Sequence, residues 1–180
     1  MWQRAVIRNK ADPGSHSMNK EDYLVRRKPV MVQGKLHLTA VENGRQFVGE
    51  SPAGHTVVMD DTQGNTGVKP VELALLALGG CTAFDVIGIL RKMRQHVTGY
   101  DVELSAEQRE EAPKVFTRVT IVHKLRGCVD PKAVKKAIHL SESKYCSVGA
   151  MIGKTATIDT RFEIIPETAD AMVAEPPAAR

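Results

Sequence analysis

The stretch from Pro70 to about His96 constrains the fold more than any other part of the chain. Leu73, Leu76, Ala77, Phe84, Val86, Ile87, Leu90 and Met93 keep helical spacing across it. Pro70 stands where a helix opens, in a first turn whose N–H has no intrahelical partner to lose. The first two thirds of this helix are apolar on nearly every side, so it predicts a central element surrounded by the rest of the fold. Gly79-Gly80 interrupts it with two residues that each cost roughly 1 kcal/mol of helix propensity relative to alanine. The pair predicts close approach of another backbone, or of a substrate, beside Cys81. Pro70, Glu72 and Asp85 bracket the longest apolar run, which on this reading falls short of the roughly 20 residues of a bilayer span. No membrane partner is expected.

The segments around this helix predict strands and two shorter helices. Val30 to Thr39 alternates apolar and polar residues, as a strand does, and Glu42-Asn-Gly-Arg45 is a hairpin turn. Gln46 to Glu50 and His55 to Met59 follow as strands on either side of Ser51-Pro-Ala-Gly54, and Asp60 to Lys69 is a loop. Beyond the helix, Gly99 to Gln108 and Lys114 to Leu125 form a hairpin of long strands around Glu110-Glu-Ala-Pro113. Asp130-Pro131 opens a helix that runs to about Glu142. A short helix starts near Ser143 or Tyr145, and Ala156 to Ile164 is the last strand. The order β3-α-β2-α2-β is that of a mixed α+β domain without internal repeats.

Charge excludes one class of partner. Seven of the 25 basic side chains but only three of the 21 acidic ones fall in residues 1–30, which leaves 18 of each in the remainder. The net charge of +4 therefore belongs to the leading segment, and the body carries no basic excess for nucleic acid. With 4% aromatic residues, little is available for base stacking either. Residues 1–30 read as an N-terminal extension, with Ala11-Asp-Pro-Gly-Ser-His-Ser17 a turn-rich stretch before a second methionine, Met18. Residues 31–166 read as the folded domain and 167–180, rich in Ala and Pro, as a flexible tail. The leading residues contain no signal-peptide hydrophobic run, which places the expected location in the cytoplasm.

Chemistry rests on three cysteines, Cys81, Cys128 and Cys146. An odd number without a secretory signal argues against a structural disulfide framework. Neither Cys-x-x-Cys nor His-x-x-x-His spacing occurs, so no metal and no cofactor is expected. Two options remain, inert core thiols or a catalytic or redox-sensing pair. Cys81 alone reads as a small buried hydrophobe. Cys146 lies at an expected helix start, where free N–H groups and the helix dipole favour a thiolate, with Lys144 and Tyr145 adding a charge and a donor. Cys128, at a strand end, has no such support.

Several separated segments resemble the OsmC/Ohr family of peroxide-handling proteins, most closely its YhfA-like branch. They are the Pro70-Val-Glu-Leu and Gly79-Gly-Cys-Thr-Ala-Phe-Asp-Val86 segments, Arg109-Glu-Glu-Ala-Pro113, Ser141 with Lys144-Tyr-Cys-Ser-Val148, and Gly54-His55 with Met59-Asp60. The resemblance runs from about Gln33 to Ile165. It implies an OsmC-like intertwined homodimer whose long central helices are wrapped by sheets from both chains. It also implies a thiol-dependent peroxidase acting on organic hydroperoxides in oxidative stress defence. Cys81 would then form a sulfenic acid, Cys146 would resolve it to a disulfide, and an external dithiol would reset the pair.

The family's hydroperoxide branch also pairs its cysteine with an early-strand Arg and with a Glu just after the helix-opening Pro. Arg45 and Glu72 are the matching candidates here. Val71 occupies the position after Pro70, however, and a one-residue shift on a helix turns a side chain by about 100°. Two other readings stay open. One is a non-catalytic OsmC-like protein that binds a small apolar ligand or senses redox state. The other is an acyl hydrolase using Cys81 alone, although no Gly-x-Ser-x-Gly elbow for a serine hydrolase is present.

Overall fold

The computed structural model describes residues 31–41 and 44–165. The expected N-terminal extension, Glu42 and Asn43 of the expected hairpin turn, and the expected tail lie outside these residues. Strands β1 (Lys35–Ala40), β2 (Gln46–Glu50) and β3 (Thr56–Met59) form one antiparallel sheet in that order. Helix α1 (Pro70–Lys92) leads into a second sheet made by β4 (His96–Gln108), β5 (Phe116–Cys128) and β6 (Thr157–Ile165). β4 pairs antiparallel with β5, and β6 joins the other edge of β5 in parallel. That parallel step needs a crossover, supplied by α2 (Pro131–Leu140), a π-helical turn (Ser141–Tyr145) and α3 (Ser147–Ile152). The α+β class and the element order match the sequence reading.

Differences at element ends have local causes. α1 stops at Lys92, not His96, although Met93 continues the apolar spacing. Arg94 takes a left-handed backbone conformation (φ +57°), and β4 starts two residues later. No Gly or Pro marks this stop, so periodicity ran past it. β1 begins at Lys35, with residues 31–34 outside it and Val30 outside the described residues, and α2 ends at Leu140 rather than Glu142, where the chain widens into the π-turn. The α2 start is as the sequence indicates: the Asp130 carboxylate accepts from the Lys132 N–H at 2.9 Å, and Pro131 takes the first helical position.

The core lies between the inner face of the second sheet and the helices. Val119, Ile121, His123 and Leu125 alternate inward along β5 and are all buried. Leu125 joins Val86 and Leu90 of α1 and Val134, Ala137 and Ile138 of α2 in one cluster. Val119 and Ile121 join Leu78, Cys146 and Ala156 in another. On the outer face, ion pairs link Arg126 to Asp101 and Lys124 to Glu103 across β4 and β5, each at 2.6 Å, and Arg118 to Asp159.

α1 is covered on one side only. Leu78, Thr82, Val86 and Leu90 recur at i, i+4 and form a buried ridge. Leu76, Gly80, Phe84 and Gly88 form a second ridge two positions away, about 200° around the helix. There Phe84 is 83% and Leu76 53% exposed. The expectation of a surrounded helix is thus met by this chain on half its circumference. The glycine pair divides the same way. A Cβ on Gly79 would lie 2.4 Å from Leu104 Cδ1 of β4, whereas one on Gly80 would meet nothing within 4 Å. The close neighbour is therefore a β4 side chain rather than a backbone.

By length and composition α1 could also cross a bilayer, contrary to the expectation that no run comes close. Glu72 and Asp85 do not bring it below that length, because a span tolerates isolated charges. Its packing against β4, α2 and α3 makes it the core helix of this domain.

Candidate thiol site

Cys81 and Asp85 stand one helical turn apart on α1, on the seam between its covered and bare faces. Cys146 closes the π-turn opposite them and caps α3. The three donor atoms, Cys81 Sγ, Cys146 Sγ and an Asp85 carboxylate oxygen, lie within 4.8 Å of one another. Cys146 is buried and the other two are half-buried, and both thiols are free. Packing of α3 on α1 thus brings together two cysteines 65 positions apart in sequence.

Asp85 is held in place. Ser141 Oγ lies 2.9 Å from Asp85 Oδ2 and 3.2 Å from Thr82 Oγ1. A hydroxyl has one proton to give, and the carboxylate can only accept, so Ser141 donates to Asp85 and accepts from Thr82. Ser141 is fully buried, which makes these bonds costly to lose. The sequence reading missed Asp85, Ser141 and Thr82 as site residues. Asp85 and Ser141 both stand in the family-like segments, and Asp85 also carried an i, i+4 spacing from Cys81.

Electrostatics at Cys146 differ from the sequence expectation. The Gly149 N–H donates to Cys146 Sγ at 3.2 Å, an approach a side chain at Gly149 would crowd, since its Cβ would sit 3.1 Å from the sulfur. That single bond is outweighed. Burial first, then the adjacent Cys81 thiol, push the Cys146 thiol up to about 11, with the Asp85 charge adding to the same direction. The helix it caps has only six residues and offers little dipole against burial. Lys144 does not supply the charge expected of it: its Nζ stands over the Tyr145 ring, 5.3 Å from the centroid.

Arg45 and Glu72 have other partners in the described chain. Arg45 Nε and its own N–H both donate to Asp61 Oδ2, at 3.0 and 3.1 Å, beside the loop that leads into α1. Glu72 accepts from the Lys69 N–H at 2.9 Å and pairs with the Lys69 ammonium, capping α1. Both the Lys69 N–H bond and the Lys69 charge hold the Glu72 carboxyl below its usual range. Nine residues of helix separate Glu72 from Cys81, about 13.5 Å of rise and two and a half turns, which puts them on opposite sides of the helix. Neither residue meets the thiols within one chain. Cys128 lies exposed at the end of β5, outside the cluster.

A cavity of roughly 260 Å³ opens beside Cys146, lined by Leu78, Thr82, Ile121, Glu142 and Ile158 among others. Its lining joins apolar side chains to a hydroxyl and a carboxylate. That combination suits a small molecule with one polar end.

Residues 62–161 match the family model described as OsmC-like protein. The Escherichia coli K12 protein YhfA is 42% identical over 123 residues, which span 68% of this chain and 92% of that protein. A crystal structure of a hypothetical protein from Aquifex aeolicus superposes with a TM-score of 0.70 at 30% identity, covering 78% of this chain and all of that one. The organic hydroperoxide resistance protein OhrB of Bacillus subtilis shares the fold, with a TM-score of 0.54 at 12% identity over 73% of this chain and 98% of that chain.

Proposed function

Since the chain belongs to the OsmC-like protein family, we propose that it is a two-cysteine thiol peroxidase reducing organic hydroperoxides in oxidative stress defence. The observation that carries this reading is the approach of the Cys81 and Cys146 sulfurs to within 4.8 Å. The name of the structurally similar OhrB, an organic hydroperoxide resistance protein, points to the substrate class. The Cys81 thiolate attacks the terminal oxygen of the hydroperoxide; the O–O bond breaks, and the alkoxide leaves and is protonated to an alcohol. Cys81 is oxidised to a sulfenic acid. Cys146 then attacks that sulfur, releasing water and forming a disulfide, which an external dithiol reduces by exchange.

The high-lying thiol at Cys146 suits the second role. It stays protonated while Cys81 reacts, so two thiolates and the Asp85 carboxylate do not share one small space. Asp85, fixed by Ser141 and Thr82, positions the pair and receives the Cys146 proton during disulfide formation.

Pairing of two copies into an intertwined homodimer belongs to the same proposal. Its support is the bare ridge of α1 together with the β1–β3 sheet, where Leu36, Leu38 and Val58 are all exposed. Arg45 and Glu72 join the reacting centre only through such pairing, released from Asp61 and Lys69.

The test treats reduced protein with near-stoichiometric cumene hydroperoxide and maps the products by mass spectrometry. A Cys81–Cys146 disulfide is expected in the unaltered chain, and a trapped Cys81 sulfenic acid in Cys146→Ser. Absence of both products would sink the peroxidase reading.

A further inference from the structure

Cys81, Cys146 and Asp85 make a donor set that peroxide chemistry uses only in part. Fully deprotonated, they place three negative charges within 4.8 Å of one another. None of the ion pairs among the described residues brings a Lys or Arg to Asp85. Two thiolates and a carboxylate are together ligands for a thiophilic dication, which offsets two of the three charges where a single cationic side chain offsets one. Donor atoms around tetrahedral zinc stand about 3.5–3.8 Å apart, given bonds of ~2.0–2.3 Å. A contraction of about an ångström therefore closes the set around an ion.

The surroundings also fit. The Ser141 hydroxyl orients the Asp85 carboxylate and is itself held by Thr82, the kind of outer bond that fixes a metal-binding carboxylate. The cavity beside Cys146 gives an ion a path in and leaves room for a water in the fourth position.

We propose that Cys81, Cys146 and Asp85 form a binding site for one thiophilic divalent cation per chain, with Zn²⁺ as its probe. Each thiol proton displaced on binding goes to solvent, and no electron moves. Cys-x-x-Cys spacing is absent because the ligands come from two elements joined only by packing. The site does not depend on the peroxidase reading; where both hold, the ion occupies the two reacting sulfurs and shields them from hydroperoxide.

The experiment uses the full, reduced, metal-free chain without peroxide. Zn²⁺ is titrated against a chromophoric chelator, and Co²⁺ is added separately as a spectroscopic substitute. One Zn²⁺ per chain is expected, with a thiolate-to-cobalt charge-transfer band and the visible bands of tetrahedral Co²⁺. Cys81→Ser and Cys146→Ser should abolish both signals while circular dichroism stays unchanged. Ser141→Ala should weaken Zn²⁺ binding roughly tenfold by freeing the carboxylate. Cys128→Ser should bind as the parent does. No uptake by the parent chain, uptake that survives loss of either thiol, or Co²⁺ bound without a thiolate band would overturn the site. A chain that takes zinc but yields no oxidation product with cumene hydroperoxide breaks the peroxidase reading and leaves the site standing. The converse result breaks the site alone.

Discussion

The two faces of α1 both carry large apolar residues and meet opposite fates. The ridge Leu78, Thr82, Val86, Leu90 is buried against β4, β5, α2 and α3, while Leu76, Gly80, Phe84 and Gly88 lie on the side this chain leaves bare. Composition cannot tell the faces apart; the difference lies in what each one meets. One ridge stabilises the single chain, and the other has apolar area to bury only against something else. Cys81 and Asp85 sit on the seam between them, so the thiol site borders both environments.

The largest expected effect tests the covered face. Leu90→Ala should destabilise the chain by about 2–5 kcal/mol at any protein concentration, read from denaturant midpoints at constant slope. A loss below that range would mean the second sheet covers this ridge less tightly than its burial indicates.

A second test on the covered side uses His123, which is fully buried with its Nδ1 2.6 Å from the Tyr100 hydroxyl and its Nε2 without a partner among the described residues. Burial holds the imidazole down to about 4, against 6.5 in the unfolded chain. Between those values the unfolded chain binds a proton that the folded chain refuses. Stability should therefore fall as pH drops through this window, by about 3 kcal/mol in all. Unfolding measured across the window in the parent and in His123→Gln should show the slope flattened in the variant; equal slopes would mean that another group carries it.

The bare face gives a smaller, concentration-dependent signal. Phe84→Ala should weaken self-association by about 2 kcal/mol, roughly thirtyfold, and Phe84→Glu should give monomers by light scattering. A parent chain that is already a stable monomer would break the comparison, since the ridge would then need no cover. The finest test compares neighbouring glycines in the monomeric Phe84→Glu background. Gly80→Ala should stabilise by about 1 kcal/mol through helix propensity alone. Gly79→Ala should lose that gain to its clash with Leu104. Equal effects would place the two glycines in the same environment.

Local signals were legible where a residue's role is set by its neighbours in sequence. Pro70 at the start of α1 and Asp130-Pro131 at the start of α2 act within one turn, and β2 occupies the residues Gln46–Glu50 expected between its two turn-rich neighbours. Signals failed where a long-range contact or an unusual backbone decides. The α1 stop depends on Arg94 in a left-handed conformation. Cys146 looked like a dipole-activated thiol because a helix start is visible in sequence, whereas the burial that overrides it is not.

By itself the sequence determined the α+β element order, a long apolar central helix that needs cover, and two thiols set in family-like segments. Helical and strand periods are properties of short windows, and side chains within a window report them directly. Only the tertiary structure decided that Cys81 and Cys146 share one space with Asp85, that Ser141 and Thr82 hold that carboxylate, and that Arg45 and Glu72 pair elsewhere within the chain. Those facts follow from how α3 and the π-turn pack on the seam of α1. The packing is selected by the fit of the whole buried ridge, and no local pattern around either cysteine records it.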